Sequence, residues 1–189
     1  PDFNLTKSEF TVSVWWKVPD FERKPGVDGR IIEHDWVDDK IRGVICLNVS
    51  GASLGKVPWM EAYVGEDMTQ GNYGANINAQ SDKWNHTLIA VTSQTVSLFL
   101  NGKKLATWPA PKSLKMEKRP LFVGGRGWVG AVDDLRIYNR ALSEEEAVIV
   151  YESERVPDTI IVNQPQSISL AAGAKAAFSV TATNSSPLV

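Results

Sequence analysis

Cysteine is nearly absent from this 189-residue chain. Cys46 stands alone in the apolar run Val44-Ile45-Cys46-Leu47, which excludes an internal disulfide and marks the thiol as a buried, inert group. Histidine is as scarce: His34 and His86, with one thiol, are too few soft ligands for a zinc site. No apolar run approaches the ~20 residues of a membrane-spanning helix, so membrane insertion is not expected. Neither sign of charge dominates, and a formal net charge of −2 gives no electrostatic support for a nucleic-acid surface. No G-x-S-x-G elbow, Cys-His pair or phosphate-binding glycine loop is present. A secretory signal is missing too, but the chain opens at Pro1 without an initiator Met, which reads as a mature or excised piece of something larger.

What is abundant is tryptophan. Seven indoles exceed the needs of one small core, so some are expected on a surface with a purpose. Around them, strand signals dominate. Phe10 to Val18 alternates with period two, placing Phe10, Val12, Val14 and Trp16 on one face, and Pro19 ends the run. Further strands are expected over Gly29–Glu33, Arg42–Val49, Trp59–Val64, Trp84–Thr92, Thr95–Leu100, Lys103–Trp108, Pro120–Gly124 and Ala131–Tyr138. Asn101-Gly102 supplies the two φ > 0 residues of a type I′ hairpin turn. One helix is expected, opened by a Ser143-x-x-Glu146 capping box, with Glu144 and Glu145 at the positive end of its dipole. Many short strands with turns between them describe an all-β sandwich or jelly roll. After Arg155 the composition shifts. Residues 154–158 read as a linker, and 159–189 as two strands, Ser167–Leu170 and Ala176–Thr183, joined by Ala171-Ala172-Gly173-Ala174. Such a piece is too short to own a core.

The motifs carry a family resemblance. Phe10-Thr11-Val12-Ser13-Val14-Trp15 resembles the opening strand of laminin-G-like or pentraxin-like, concanavalin A-type lectin domains of bacterial modular extracellular proteins. Trp84-Asn85-His86-Thr87-Leu88-Ile89-Ala90-Val91-Thr92 resembles their Trp-His strand, and Leu98-Phe99-Leu100-Asn101-Gly102-Lys103 their hairpin. Gly124-Gly125-Arg126 followed by Gly130 to Ser143 resembles their terminal strand and helix cap. The resemblance spans residues 1–153 and implies a concanavalin A-like two-sheet jelly-roll sandwich with one short C-terminal helix. It also implies a first strand upstream of Phe10, which is expected to be missing. Residues 159–189 resemble the first strands of a truncated bacterial immunoglobulin-like domain. Edges left open in this way are adhesive, and a strand from elsewhere in the chain or from a neighbour is expected to fill the vacant position.

Candidate sites follow from the residues and from the resemblance together. In related sandwiches an Asp at the start of the terminal strand contributes to a structural calcium site, which makes Asp133 the leading metal candidate. Its strand parity with Leu135 and Ile137 points it to the packed side, where a carboxylate needs a partner: a cation, Arg126, Arg136 or backbone donors. Asp35, Asp38 and Asp39 form a weaker cation candidate, with a solvated acidic loop as the competing reading. The run Glu33-His34-Asp35-Trp36-Val37-Asp38 loosely imitates the acidic motif of laminarinase-type glycoside hydrolases. Glu33 and Asp35 would share a face, whereas Asp38 would fall on the other, which argues against catalysis. Trp15 and Trp84 match family positions and are expected in the core. Trp36, Trp59, Trp108 and Trp128, joined by Tyr63 and Tyr73, fall in loops or near strand ends and form a candidate aromatic platform for sugar rings. Core packing competes with that role at each position.

The expected function is therefore non-catalytic: an extracellular or cell-surface binding and adhesion module of a larger protein, with a polysaccharide or glycan as partner and a possible structural Ca2+. The alternative is a structural or filament-forming module held by strand exchange with neighbours. A glycoside hydrolase is the third reading.

Overall fold

A computed structural model describes residues 2–3, 9–19, 28–34, 45–50, 58–64, 72–112, 119–125, 127–155 and 159–184. The strands are β1 (Asp2–Phe3), β2 (Phe10–Lys17), β3 (Asp28–His34), β4 (Ile45–Ser50), β5 (Trp59–Val64), β6 (Asn72–Asn76), β7 (Asn85–Val91), β8 (Thr95–Leu100), β9 (Lys103–Pro109), β10 (Arg119–Gly125) and β11 (Ala131–Tyr138). Helix α1 (Glu144–Glu154) follows, and then β12 (Thr159–Asn163) and β13 (Thr181–Asn184). Residues 1–152 and 153–189 form two separate compact units.

In the first unit an antiparallel six-stranded sheet, ordered β1-β10-β3-β4-β5-β6, packs on an antiparallel five-stranded sheet, ordered β11-β2-β7-β8-β9. This is the all-β jelly-roll sandwich that the strand pattern implies. The inner faces alternate as expected. Phe10, Val12, Val14 and Trp16 of β2 and Ile89 and Val91 of β7 meet Ile32, Leu47, Val49, Met60, Ala62 and Val64 of the other sheet, all nearly or fully buried. Each such side chain contributes about 1.5–3 kcal/mol on burial. Trp16 also satisfies its polar edge, donating from Nε1 to Thr87 Oγ1 at 2.8 Å.

The outer face of β2 is buried as well. Thr11, Ser13 and Trp15 lie beneath the segment that carries α1, and Leu88, Ala90 and Phe99 pack with Leu142 and Ala147 in a second apolar cluster. The helix is held in place at its start. Ser143 N–H donates to Glu146 Oε2 at 2.9 Å while Glu146 N–H donates to Ser143 Oγ at 3.2 Å, so the expected capping box closes in both directions. Arg140 grips the same carboxylate in a two-pronged pair at 2.6 and 2.7 Å. The Arg140 guanidinium and the Ser143 N–H together pull Glu146 down to about 2. Thr11 Oγ1 ties the preceding turn to β2, donating to the Arg140 carbonyl and accepting from Leu142 N–H. The Asn101-Gly102 turn has φ of 50° and 73°, as a type I′ hairpin requires.

Three expectations change. Asp2–Phe3 does pair with Arg119–Pro120, so the upstream strand expected to be missing is present as two residues at a sheet edge. Strand β6, Asn72-Tyr73-Gly74-Ala75-Asn76, has a sequence of low strand propensity and forms because β5 offers it a complete partner ladder. In the second unit the strands are Thr159–Asn163 and Thr181–Asn184: Ser167–Leu170 is not a strand, and of Ala176–Thr183 only Thr181–Thr183 is. The Ala171–Ala174 turn stands as well, with Gly173 at φ 85°. Ile168, Leu170, Phe178 and Val180 are exposed, because alternating apolar residues become strand only where a second layer takes up their face.

Gly130 opens β11 under tight constraint: an added Cβ would lie 2.1 Å from the Lys17 carbonyl oxygen. Gly130→Ala is expected to lower unfolding free energy by about 2 kcal/mol or more in denaturant titration. Gly125→Ala, whose Cβ would meet Glu33 at an ordinary 3.4 Å, serves as the near-neutral control.

Candidate functional site

The sheet registers decide which candidate side chains reach solvent. On β5, Met60, Ala62 and Val64 point into the core, so Trp59 and Glu61 point outward from the six-stranded sheet. Trp59 is 36% exposed and donates from Nε1 to Glu61 Oε1 at 3.1 Å. Its indole lies flat on Gly74 of the neighbouring strand: a Cβ there would stand 2.2 Å from ring carbon Cζ2, 2.6 Å from Cε2 and 2.8 Å from Nε1. The missing side chain at Gly74 is thus what lets the ring lie against the sheet with its other face to solvent. Beside it on the same face stands the exposed Asn76, paired across from Trp59, whereas Asn48, paired across from Glu61, is buried and accepts from the Cys46 thiol. One fixed aromatic face with carboxylate and carboxamide groups beside it is the chemistry that stacks on a pyranose and holds its hydroxyls.

The other platform candidates go elsewhere. Tyr73 is buried at 5%, donates its phenol to the Pro109 carbonyl at 2.8 Å, and has its pKa raised by burial. Trp108 packs against the core and tilts onto Tyr73, with ring centroids 5.3 Å apart. Trp128 also packs against the core, seated over Gly29, Gly124 and Gly130, where added Cβ atoms would come within 3.0–3.2 Å of its ring. Its Nε1 is buried with no hydrogen-bond partner among the described residues. These three rings are therefore packing elements rather than a platform. Trp36, Asp35, Asp38 and Asp39 lie outside the described residues, as does the side chain of Tyr63.

Trp84 reverses its expectation. Although it matches a family position expected in the core, it is 43% exposed, with the Lys17 ammonium 5.8 Å from its ring centroid. Trp15 does meet its expectation, at 8% exposure, stacked on Tyr151 with centroids 5.6 Å apart.

Asp133 is exposed, contrary to its parity with Leu135 and Ile137. Between Asp133 and Arg136 the pairing with β2 shifts register, and Asp134 takes φ 44°. This bulge inverts the alternation: Val132, Leu135 and Ile137 pack on the core and Asp133 turns out, opposite Trp15. Its Oδ1 accepts the Asp134 N–H at 2.9 Å. Among the described residues no three His, Cys, Asp or Glu side chains gather as a metal cage.

Two pairs look catalytic at first reading and are not built for it. Glu33 is buried and ion-paired to Arg30 Nη1 at 2.6 Å. Ser13 Oγ lies 2.7 Å from His86 Nε2, a nucleophile–base distance, yet both are at most 1% exposed, inside the layer that α1 covers. Burial, reinforced by the Arg136 charge, pushes His86 down to about 4, so the ring is neutral and a poor base at neutral pH. His34 is buried too.

Residues 1–148 match the family model described as the concanavalin A-like lectin/glucanases superfamily, Laminin_G_3. The chain belongs to that family. No curated protein matches it. Among solved structures it is similar to the receptor binding domain of a botulinum neurotoxin C/D mosaic serotype, at TM-score 0.59 and 17% identity over 78% of this chain and 36% of that one. It is also similar to the binding domain of Paraclostridial Mosquitocidal Protein 1, at TM-score 0.55 and 19% identity over 80% of this chain and 38% of that one. A third is the binding domain of botulinum neurotoxin DC solved in complex with SialylT, at TM-score 0.60 and 14% identity over 81% and 37%. The chain thus spans little more than a third of these relatives, and at such identities the likeness speaks for the fold.

The buried His86 makes stability depend on pH. Its folded pKa, about 4, lies below the ordinary 6.5, so the unfolded chain takes up the proton first as pH falls. Stability is expected to drop between about pH 6.5 and 4, by up to roughly 3 kcal/mol, and this contribution levels off below pH 4. Urea unfolding of wild type and His86→Gln across that window should show the difference in slope.

Proposed function

We propose that this chain is a non-catalytic binding module that takes a neutral saccharide on the outer face of its six-stranded sheet. The observation that carries this reading is Trp59: an indole held flat by Gly74 and Glu61, with one face open. A pyranose with equatorial hydroxyls lays its apolar C–H face on such a ring, and Glu61 and Asn76 offer acceptors and donors to its hydroxyls. The fold supports the same reading, because the similar solved domains are binding domains and one of them was solved with SialylT. Burial of Glu33 and of the Ser13–His86 pair argues against hydrolysis. An extracellular setting in a larger modular protein completes the reading, supported by the motif resemblance. No contact of the Trp59 platform calls for a cation.

The alternative is a structural module joined to neighbours by strand pairing. It draws on the second unit, where β12 and β13 make a lone two-stranded ladder with Ile161 and Val162 exposed.

A glycan array separates the two, run on the full chain with calcium and with chelator. Binding to neutral oligosaccharides under both conditions is expected. Trp59→Ala should weaken it at least tenfold, about 1.4 kcal/mol, and Gly74→Ala should do the same without removing the indole. An array silent under both conditions, with concentration-dependent self-association in sedimentation, would favour the structural role.

A further inference from the structure

We infer that the sandwich carries a second saccharide site on its opposite outer face, centred on Trp84, and that the module bridges two glycan chains. The inference rests on the reading of Trp59 as a saccharide platform. Six tryptophans fall within the described residues, and only Trp59 and Trp84 are exposed. Trp59 opens β5 of the six-stranded sheet, and Trp84 immediately precedes β7 of the five-stranded one. On β7, Thr87, Ile89 and Val91 point inward while His86, Leu88 and Ala90 point outward, so Trp84 continues the outward set. Lys17 continues the outward set of β2, after Thr11, Ser13 and Trp15, and reaches the Trp84 ring from the neighbouring strand.

The surroundings of Trp84 match those of Trp59 in kind. Lys17 Nζ, beside the ring, is 3.2 Å from Asp82 Oδ1, which puts a donor and an acceptor next to one aromatic face. Asp82 is fixed in a tight turn at φ 56°, its N–H donating to the Val18 carbonyl at 2.7 Å, so the acidic partner is positioned before any ligand arrives. The bridge itself is weak, because its side chains are 34% and 76% exposed. A sugar hydroxyl can enter between them, accepting from the ammonium and donating to the carboxylate. The pair is neutral in sum, which suits an uncharged saccharide.

Helix α1 covers the neighbouring part of this face: its Tyr151 lies against Trp15 and His86, and Leu142 and Ala147 fill the second cluster. Among the described residues, Trp84 lies on that face and is exposed. Two sheets about 10 Å apart separate it from Trp59, so one sugar residue cannot touch both indoles, and filling one site leaves the other open.

The test uses the full chain, its Trp59→Ala and Trp84→Ala variants, the double variant, and Lys17→Ala as a milder lesion. The probes are soluble neutral hexasaccharides of β-glucan, galactan and mannan in calorimetry, and the parent polysaccharides in native affinity gels. Circular dichroism confirms that each variant is folded. Two sites per wild-type chain are expected for at least one hexasaccharide, one site in each single tryptophan variant, and none in the double variant. Lys17→Ala should weaken only the site that survives in Trp59→Ala. Because bridging multiplies the two affinities on a polysaccharide, each single tryptophan variant should lose tenfold or more in gel retardation. One site per chain, lost in Trp59→Ala and untouched in Trp84→Ala, would overturn bridging and leave the Trp59 reading standing. One site lost only in Trp84→Ala would overturn both bridging and the role of Trp59. No binding of any probe by the wild type would remove both.

Discussion

Strand β2 is packed on both sides, and the remaining architecture is arranged around that demand. Phe10, Val12, Val14 and Trp16 fill the space between the sheets, while Thr11, Ser13 and Trp15 are closed off by the α1 segment. A strand with one wet face would need neither the Arg140–Glu146–Ser143 clamp nor the Thr11 tie, since nothing would have to be held over it. Here the helix covers a hydroxyl and an imidazole together with an indole, and the Ser13–His86 hydrogen bond satisfies what would otherwise be an expensive burial. The same burial keeps His86 neutral, which couples stability of this layer to acid.

Among the described residues, the exposed indoles lie on the outward faces that neither the core nor the helix covers. Trp59 lies on a strand whose neighbour lacks a side chain at Gly74; Trp84 lies one step beyond the cover of Tyr151. Each has a carboxylate fixed nearby, Glu61 in one case and Asp82 in the other. Membership of a lectin/glucanase superfamily does not choose between binding and hydrolysis. The proposed binding role is favoured by Glu33 and His86 being buried and engaged while Trp59 and Trp84 are exposed.

Much of this fold can be read from the sequence. The period-two run from Phe10, the Asn101-Gly102 turn and the Ser143–Glu146 capping box each stand on local chemistry, and each forms as expected. What escapes is whatever depends on register. The bulge at Asp134 inverts the side-chain alternation, so Asp133 turns outward although its spacing to Leu135 and Ile137 says otherwise. Gly74 matters only because β6 pairs with β5 so as to bring it beneath Trp59, and a strand reading Asn-Tyr-Gly-Ala-Asn gives little local sign of being one. Tyr73 and Trp108 look like loop aromatics in the sequence but are drawn inward against each other. Trp84 fails in the opposite sense. A family position implies core, yet its parity with His86 places it on the outer face beside Lys17.

The account claims that the tryptophans of the described residues divide by face: packed rings hold the sandwich together and the two exposed rings among them, Trp59 and Trp84, meet saccharide. A 1H–15N correlation spectrum resolves the indole N–H groups of the seven tryptophans one by one. Recorded while a bound neutral hexasaccharide is titrated in, it should show the Trp59 and Trp84 indole signals moving to saturation. Those of Trp15, Trp16, Trp108 and Trp128 should stay in place. Saccharide binding that leaves both the Trp59 and Trp84 signals unmoved would contradict the account.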